Sequence, residues 1–192
     1  MRKAKVYIAL LHYPMYNKRM EIITTSITNL DLHDISRVAR TYDVDAFFLV
    51  HPSPNQQELI RDIISYWQDG YGGQYNPDRK DAFNIIKSAE TLEEVQEYLE
   101  SMNGEKVFTV ATDARLYSNT ISYSQLKNMV FNEEKSFLLL FGTGWGIQKE
   151  IMESCDYILQ PIEAKRNYNH LSVRSAVSII LDRLLGEYWF NL

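Results

Sequence analysis

Three glycines at alternating positions follow a fully apolar stretch of the chain. Residues 137–141 are all apolar, and Gly142, Gly144 and Gly146 come directly after them. Because glycine has no Cβ, it lets the backbone turn sharply and lets its amides approach a ligand closely. Open α/β sheets usually bind small molecules at the carboxyl ends of their strands. The pattern indicates either a small-molecule site or a ligand-free turn between a strand and a helix.

This glycine loop lacks the features of the common phosphate-binding loops. No Gly-Lys-Ser/Thr follows it, as a P-loop requires, and its glycines do not fit the dinucleotide pattern G-x-G-x-x-G. Residues 141–147 contain no Arg or Lys, so the loop provides no side-chain cation for a pyrophosphate. A ligand with an adenine and a ribose but no phosphate suits it best.

The elements that position this loop alternate between strands and helices. Their order predicts an α/β fold with a mainly parallel sheet flanked by helices. Strands are expected at 5–11, 45–50, 106–111, 136–141 and 157–160, and helices at 31–40, 56–67, from Thr91 and from His170. Asn29 or Asp31 is the expected cap of the first helix, and Asp69 to Asp81 is expected to be a loop.

Composition limits the class of protein. A chain of 192 residues is long enough for one core and does not require two domains, so we expect a single α/β domain over 1–192. No apolar run approaches the roughly 18 residues of a membrane span, which predicts no membrane association. The single cysteine, Cys155, excludes an internal disulfide, fits a reducing cytoplasm, and is expected in the core.

Charge counts against a protein that binds nucleic acid through bulk electrostatics, since the net charge is −5. A local basic cleft remains compatible with this value, as do scattered solvated charges. The candidate cations are Arg37, Arg40, Arg115, Lys149, Lys165 and Arg166. The four histidines, at 12, 33, 51 and 170, show no metal-ligand spacing, so no metal is expected.

The second half of the chain resembles the SPOUT family of RNA methyltransferases, which use S-adenosylmethionine. Three segments carry the resemblance, namely 107–115, 141–147, and 155–162 with 169–173. The Asp-Tyr-Ile-Leu run at 156–159 is similar to the TrmD-like tRNA guanine-N1 methyltransferases, whereas Leu-Ser-Val at 171–173 is nearer the ribose 2′-O branch. The resemblance implies a C-terminal trefoil knot, S-adenosylmethionine as cofactor, and tRNA or rRNA as partner.

By the same resemblance, three loops hold the methyl donor, largely through backbone amides and carbonyls. The implied cofactor-binding residues are Thr109, Val110, Ala111, Thr112, Phe141, Gly142, Gly144, Trp145, Gly146, Tyr157, Leu159, Gln160, Pro161, Ile162, His170, Leu171 and Ser172. For Trp145 three places stay open: a dimer contact, a platform for the target base, or the core.

Methyl transfer from a sulfonium is an in-line displacement, and a guanine N1 or ribose hydroxyl must also lose its proton. Asp113, beside Arg115 in the first loop, is the leading candidate for the base. Glu163 is the alternative, in the third loop with Lys165 and Arg166 nearby. A structural ion pair explains either arrangement as well.

A second point of resemblance lies in the first helix. Residues 33–41 resemble the N-terminal motif of the ribose branch, which makes Arg40 the arginine that helps to activate the ribose hydroxyl and places His33 where the branch has asparagine. Thr143 and Ser172 depart from the branch's glutamate and asparagine. Base and ribose methylation therefore both stay open.

The resemblance also implies a homodimer, because one such domain leaves the methyl group facing an open surface. The aromatic residues Tyr188, Trp189 and Phe190 need a surface to bury them, on their own subunit or on a partner. In a dimer, Arg37 and Arg40 would reach the partner's donor pocket. The alternative function is a non-catalytic S-adenosylmethionine- or nucleotide-binding module.

Overall fold

A seven-stranded parallel sheet forms the centre of the computed structural model, which describes residues 2–163 and 168–186. Within these residues the strands are β1 (Lys5–Leu11), β2 (Met15–Tyr16), β3 (Ile22–Ile23), β4 (Ala46–Val50), β5 (Ile86–Ala89), β6 (Val107–Ala111), β7 (Thr120–Ile121), β8 (Ser136–Phe141) and β9 (Tyr157–Leu159). The sheet order is β5-β4-β1-β8-β6-β9-β7, and all neighbours pair in parallel. The predicted sheet is confirmed.

Helices cover both faces of this sheet. They are α1 (Asn29–Thr41), α2 (Pro54–Gln68), α3 (Tyr71–Tyr75), α4 (Pro77–Phe83), α5 (Leu92–Asn103), α6 (Tyr123–Asn132), α7 (Lys149–Ser154) and α8 (Val173–Leu185). None of the helices in the described ranges has both the length and the apolar character that crossing a membrane requires.

The core consists of two apolar clusters, one on each face of the sheet. Alternate residues of β1 divide between them: Val6, Ile8 and Leu10 face the cluster formed with α1, α2, α6 and α8, and the residues between them face α5 and α7. All six residues of β8 are buried, as expected for a central parallel strand that is covered on both faces. Cys155 packs on the second cluster as predicted, and burial raises the pKa of its thiol to about 11.

The starts of two helices differ from the sequence-based expectation. Thr28, rather than Asn29 or Asp31, caps α1, because its hydroxyl accepts a hydrogen bond from the Asp31 amide. Ser172 caps α8 in the same way, so this helix begins at Val173 and His170 lies before it.

Two further segments depart from the prediction. The stretch predicted as a loop contains the short helices α3 and α4, since Asn76 caps α4 and Pro77 takes its first position. The short strands β2 and β3 pair in an antiparallel hairpin after β1, and nothing in the sequence pattern predicted them. Their importance lies in what they contact at the end of the sheet.

Candidate functional site

A cavity of about 630 Å³ lies at the carboxyl-terminal ends of β6, β8 and β9. Its walls come from residues 112–115 after β6, residues 141–146 at the end of β8, and residues 160–162 and 169–173 between β9 and α8. We call it the three-loop cavity. Its volume is that of a typical small-molecule site, and it lies where parallel sheets bind ligands.

Most of the predicted cofactor residues meet in this cavity. The residues that line it are Thr112, Phe141, Gly142, Gly144, Trp145, Gly146, Gln160, Pro161, Ile162, His170, Leu171 and Ser172. Three segments that are far apart in sequence are therefore brought to one place. The side chain of Trp145 is 55% exposed, so the interpretation of this residue as part of the core is wrong.

The other predicted cofactor residues do not line the cavity. Val110, Ala111 and Leu159 are buried in the two apolar clusters. Thr109 is buried and exchanges hydrogen bonds with Asp156, whose carboxylate accepts from the Thr109 amide at 2.9 Å. Tyr157 packs against the ring of Phe108 at 6.3 Å between centroids. The strand pairing and the bonds between Thr109 and Asp156 hold β6 and β9 together.

The glycine loop is braced by the unpredicted hairpin. Gly144 has a φ of 58°, and a Cβ at this position would lie 2.9 Å from the carbonyl oxygen of Tyr16 in β2. The Trp145 amide donates to that carbonyl at 2.9 Å, and the Tyr16 amide donates to the Gly146 carbonyl at 2.9 Å. The absence of a side chain at Gly144 therefore allows the backbone of Tyr16 to pack closely against the glycine loop.

Asp113 and Arg115 form a bidentate ion pair on the cavity wall. The Asp113 carboxylate accepts hydrogen bonds from Nε of Arg115 at 2.9 Å and from Nη2 at 2.6 Å. The carboxylate side chain is 5% exposed and the guanidinium side chain 43% exposed. The bond to Asp113 raises the pKa of Arg115. Gly146 leaves room for the pair, because a Cβ there would lie 2.8 Å from Nη2.

The third loop is tied to the first by Asn169. Its side-chain Nδ2 donates to the carbonyl oxygen of Ala114 at 2.7 Å, which fixes the approach of His170 and Leu171 to the cavity. Glu163, the alternative base, is exposed and does not line the cavity. Lys165 and Arg166, like Tyr188, Trp189 and Phe190, lie outside the described residues.

Three other predicted cations lie outside the cavity. Arg40 donates from Nε to the Asp81 carboxylate at 2.8 Å and lies 3.7 Å from Asp43, near the end of α1 that is remote from the cavity. Arg37 is exposed on the same helix, and Lys149 pairs with Glu153 at 3.4 Å. Within the described part of the chain, Arg115 is the predicted cation that lines the cavity.

Sequence reasoning missed several lining residues. Val173, Ala176 and Ile180 lie on one face of α8, and the helical spacing of the apolar residues that follow the third motif is a signal for them. Asn169 has no such signal, because its role is a contact with the distant first loop. Met20 reaches the cavity from the turn between β2 and β3, and its position depends on the hairpin.

The cavity suits a methyl donor of the S-adenosylmethionine type. Apolar side chains, including those of Pro161, Ile162 and Leu171, line it beside the glycine loop. Arg115 is its only lining cation among the described residues, and Asp113 neutralises that cation. An adenosine without a phosphate therefore fits this largely apolar cavity better than a phosphorylated nucleotide does.

Known sequences similar to this chain point to one family. A family model described as SAM-dependent RNA methyltransferase matches residues 5–186. An uncharacterized protein of Aquifex aeolicus is 45% identical over 182 residues, which cover 95% of this chain and 89% of that protein. A tRNA (guanine-N(1)-)-methyltransferase of Oleidesulfovibrio alaskensis is 39% identical over 182 residues, or 95% of this chain and 42% of that protein. The chain thus spans less than half the length of that curated relative.

Solved structures share the fold at low sequence identity. The TrmH/SpoU tRNA modifying enzyme of A. aeolicus matches with a TM-score of 0.57 and 16% identity, over 96% of this chain and 75% of that one. At this identity the likeness supports the architecture alone.

Proposed function

Because the chain belongs to the SAM-dependent RNA methyltransferase family, we propose that it methylates a nucleotide of tRNA in the cytoplasm, using a donor bound in the three-loop cavity. The convergence of the three predicted loops on one cavity carries this proposal. Transfer RNA is proposed as the substrate because a relative 39% identical to the chain is named for it. When bound, S-adenosylmethionine supplies a methyl group activated by its positively charged sulfonium.

Different residues of the cavity bind different parts of this donor. Backbone groups of the glycine loop and of the third loop hold the adenosine, and Pro161, Ile162 and Leu171 enclose its apolar faces. The brace between Tyr16 and the glycine loop keeps the site in shape before the donor arrives, which lowers the ordering cost of binding.

The Asp113–Arg115 pair is the proposed catalytic unit. Arg115 holds the carboxylate through two side-chain hydrogen bonds, and Asp113 receives the proton that the acceptor nucleotide loses. Since these bonds stabilise the carboxylate as an anion, proton transfer requires Arg115 to shift its bonds toward the RNA. Asp113→Asn should lower kcat about a hundredfold, the lower end of the range for a general base, while donor affinity stays within about threefold.

A homodimer and a trefoil knot complete the proposal. The order β8-β6-β9 supports the knot, because the chain passes from one side of β6 to the other between β8 and β9. The exposed rim of the cavity, with Trp145 and Leu171, supports a second subunit that covers it and presents its own Arg40. Sedimentation equilibrium at micromolar concentration tests the dimer, and a stable monomer would refute the composite site.

Two assays test the function itself. Calorimetry should detect S-adenosylmethionine and not ATP or NAD, and absence of donor binding at millimolar concentration would overturn the proposal. Transfer of a tritiated methyl group to unfractionated tRNA, followed by mass spectrometry of the nucleosides, identifies the methylated atom. Donor binding without transfer to any RNA would favour the non-catalytic module.

A further inference from the structure

The hairpin of β2 and β3 ends in a turn that is unusually well held. Asn17 makes most of the bonds: its side-chain oxygen accepts from the amides of Arg19 at 2.8 Å and Glu21 at 3.0 Å. Its Nδ2 donates to the Glu21 carboxylate at 2.7 Å, and its carbonyl oxygen accepts from the Met20 amide at 3.0 Å. Such a network fixes the direction of the three residues at the tip, Lys18, Arg19 and Met20.

Met20 is held in a backbone conformation that its side chain disfavours. Its φ is 61°, in the left-handed region that residues with a Cβ rarely adopt outside Asn and Asp. The side chain is 53% exposed and lines the three-loop cavity, although it comes from an element outside the three loops. Strain of this kind persists when the surrounding structure enforces it, and it concentrates where ligands are bound.

The two residues beside Met20 are cations on an acidic protein. Lys18 and Arg19 are exposed, and neither forms an ion pair with the residues that the structure describes. Glu21, the nearest carboxylate in the turn, is engaged by Asn17. A rigid tip therefore offers two positive charges and one flexible apolar side chain at the mouth of the cavity, on a chain whose net charge is −5.

We propose that this tip binds the acceptor RNA, with Lys18 and Arg19 on phosphates beside the modified nucleotide and Met20 against the base that enters the cavity. The inference rests on the proposed function and adds an RNA contact to the same site. Cations bind the phosphodiester backbone through charge, and the polarisable thioether of methionine packs on flat rings. Because the backbone of the tip is already held by Asn17, RNA binding has to order only the side chains of these residues.

The salt dependence of RNA binding tests the two cations. Each phosphate contact contributes about 0.7 to 0.9 to the slope of log K against log salt, so Lys18→Ala/Arg19→Ala should lower the slope by about 1.4 to 1.8. The measurement is filter binding of labelled unfractionated tRNA at KCl concentrations between about 50 and 200 mM. Arg61→Ala/Lys87→Ala is the matched control, because it removes two exposed cations from α2 and β5 and should leave the slope unchanged.

A pair of substitutions tests Met20 separately from the backbone strain. Met20→Gly relieves the positive φ and Met20→Ala retains it, so the glycine variant should unfold at the higher temperature. Both variants remove the apolar side chain, and both should lose about tenfold in kcat/KM for RNA. Because Met20 also lines the cavity assigned to the donor, these rates are measured at saturating donor.

The outcomes separate this inference from the proposed function. An unchanged salt slope in Lys18→Ala/Arg19→Ala, with donor binding and methyl transfer intact, would overturn the RNA contact and leave the function standing. A changed sedimentation coefficient with an unchanged slope would show that a second copy of the chain covers the tip, which also overturns it. If the unaltered protein neither binds the donor nor methylates RNA, both the proposed function and this inference are overturned.

Discussion

Two halves of the same sheet end differently. At the carboxyl ends of β6, β8 and β9 the chain leaves the three-loop cavity of about 630 Å³, whereas the ends of β1 and β4 are filled by His12 and His51. All these strands are parallel, so topology alone makes every one of their ends a candidate site. The side chains that follow each strand decide which ends stay open.

The closed half is filled by polar side chains that are almost fully buried. His51 is satisfied, since its Nδ1 accepts from the Ser53 amide and its Nε2 faces the Thr25 carbonyl oxygen, each at 3.0 Å. Gln57 donates to the His51 carbonyl oxygen at 2.8 Å. His12 is 0% exposed, and neither of its ring nitrogens has a partner among the described residues. Burial and the neighbouring His51 lower the pKa of His12 to about 4.

Acid should break the closed half first, and this is the largest effect we expect. Below pH 6.5 the unfolded chain protonates His12 while the folded protein resists protonation down to about pH 4. Stability is therefore unaffected by this group above pH 6.5 and falls between pH 6.5 and 4, by on the order of 3 kcal/mol. Burial also lowers the pKa of His51, in the same direction. Urea unfolding at pH 7 and pH 4.5 measures the loss.

His12→Leu isolates this contribution from that of the carboxylates. The variant replaces an unpaired buried polar ring by an apolar side chain, so its stability at pH 7 should equal or exceed that of the unaltered protein. Its advantage should grow as the pH falls, and a constant difference would contradict the assignment. Donor affinity at pH 7 should stay within about threefold, because neither His12 nor His51 lines the cavity.

At the open half, donor binding should be sensitive to a change in the backbone of the glycine loop. Gly144 and Gly104 both have left-handed φ values, 58° and 70°, so alanine at either position costs about 1 to 2 kcal/mol of stability. A Cβ on Gly104 meets nothing within 4 Å, whereas one on Gly144 meets the Tyr16 carbonyl at 2.9 Å. The clash at Gly144 should displace the glycine loop, so Gly144→Ala should also lower donor affinity about tenfold. Gly104→Ala should bind the donor with unchanged affinity. Calorimetry checks both, and equal affinities would remove the glycine loop from the donor site.

The contrast between the halves marks what the sequence predicts and what it does not. Continuous apolar runs predicted β1 and β8 with the bounds that the structure has, and glycine spacing located the cavity loop. The hairpin stayed hidden, because two-residue strands leave no periodic pattern. The hydrogen bond between Thr109 and Asp156 stayed hidden too, because the two residues are 47 positions apart in the sequence. Contacts between distant segments fix a site, and one sequence carries little record of them.

A smaller effect should follow from loosening the link between the first and third loops. Asn169→Asp keeps the shape of the side chain and removes the Nδ2 donor to the Ala114 carbonyl oxygen, a bond of 2.7 Å. The net contribution of one such hydrogen bond is about 1 kcal/mol, so donor affinity should fall about fivefold. Asn132→Asp is the control, because it removes a similar bond to Asn128 on the surface of α6. Equal losses in the two variants would show a general effect of charge.

The smallest effect on stability is expected from substitution of Arg40, which lies neither at the cavity nor beside the two buried histidines. Its ion pair with Asp81 is exposed on both sides, and exposed pairs contribute little to stability. Two readings differ in their consequences for catalysis. If Arg40 only pairs with Asp81, Arg40→Ala and Asp81→Asn should behave alike and leave methyl transfer intact. If it reaches the partner's cavity in a dimer, as we propose, Arg40→Ala should lower kcat/KM for RNA about tenfold or more with donor affinity unchanged, and Asp81→Asn should not. Steady-state transfer to tRNA distinguishes them, and parallel behaviour of the two variants would return Arg40 to a role on the surface.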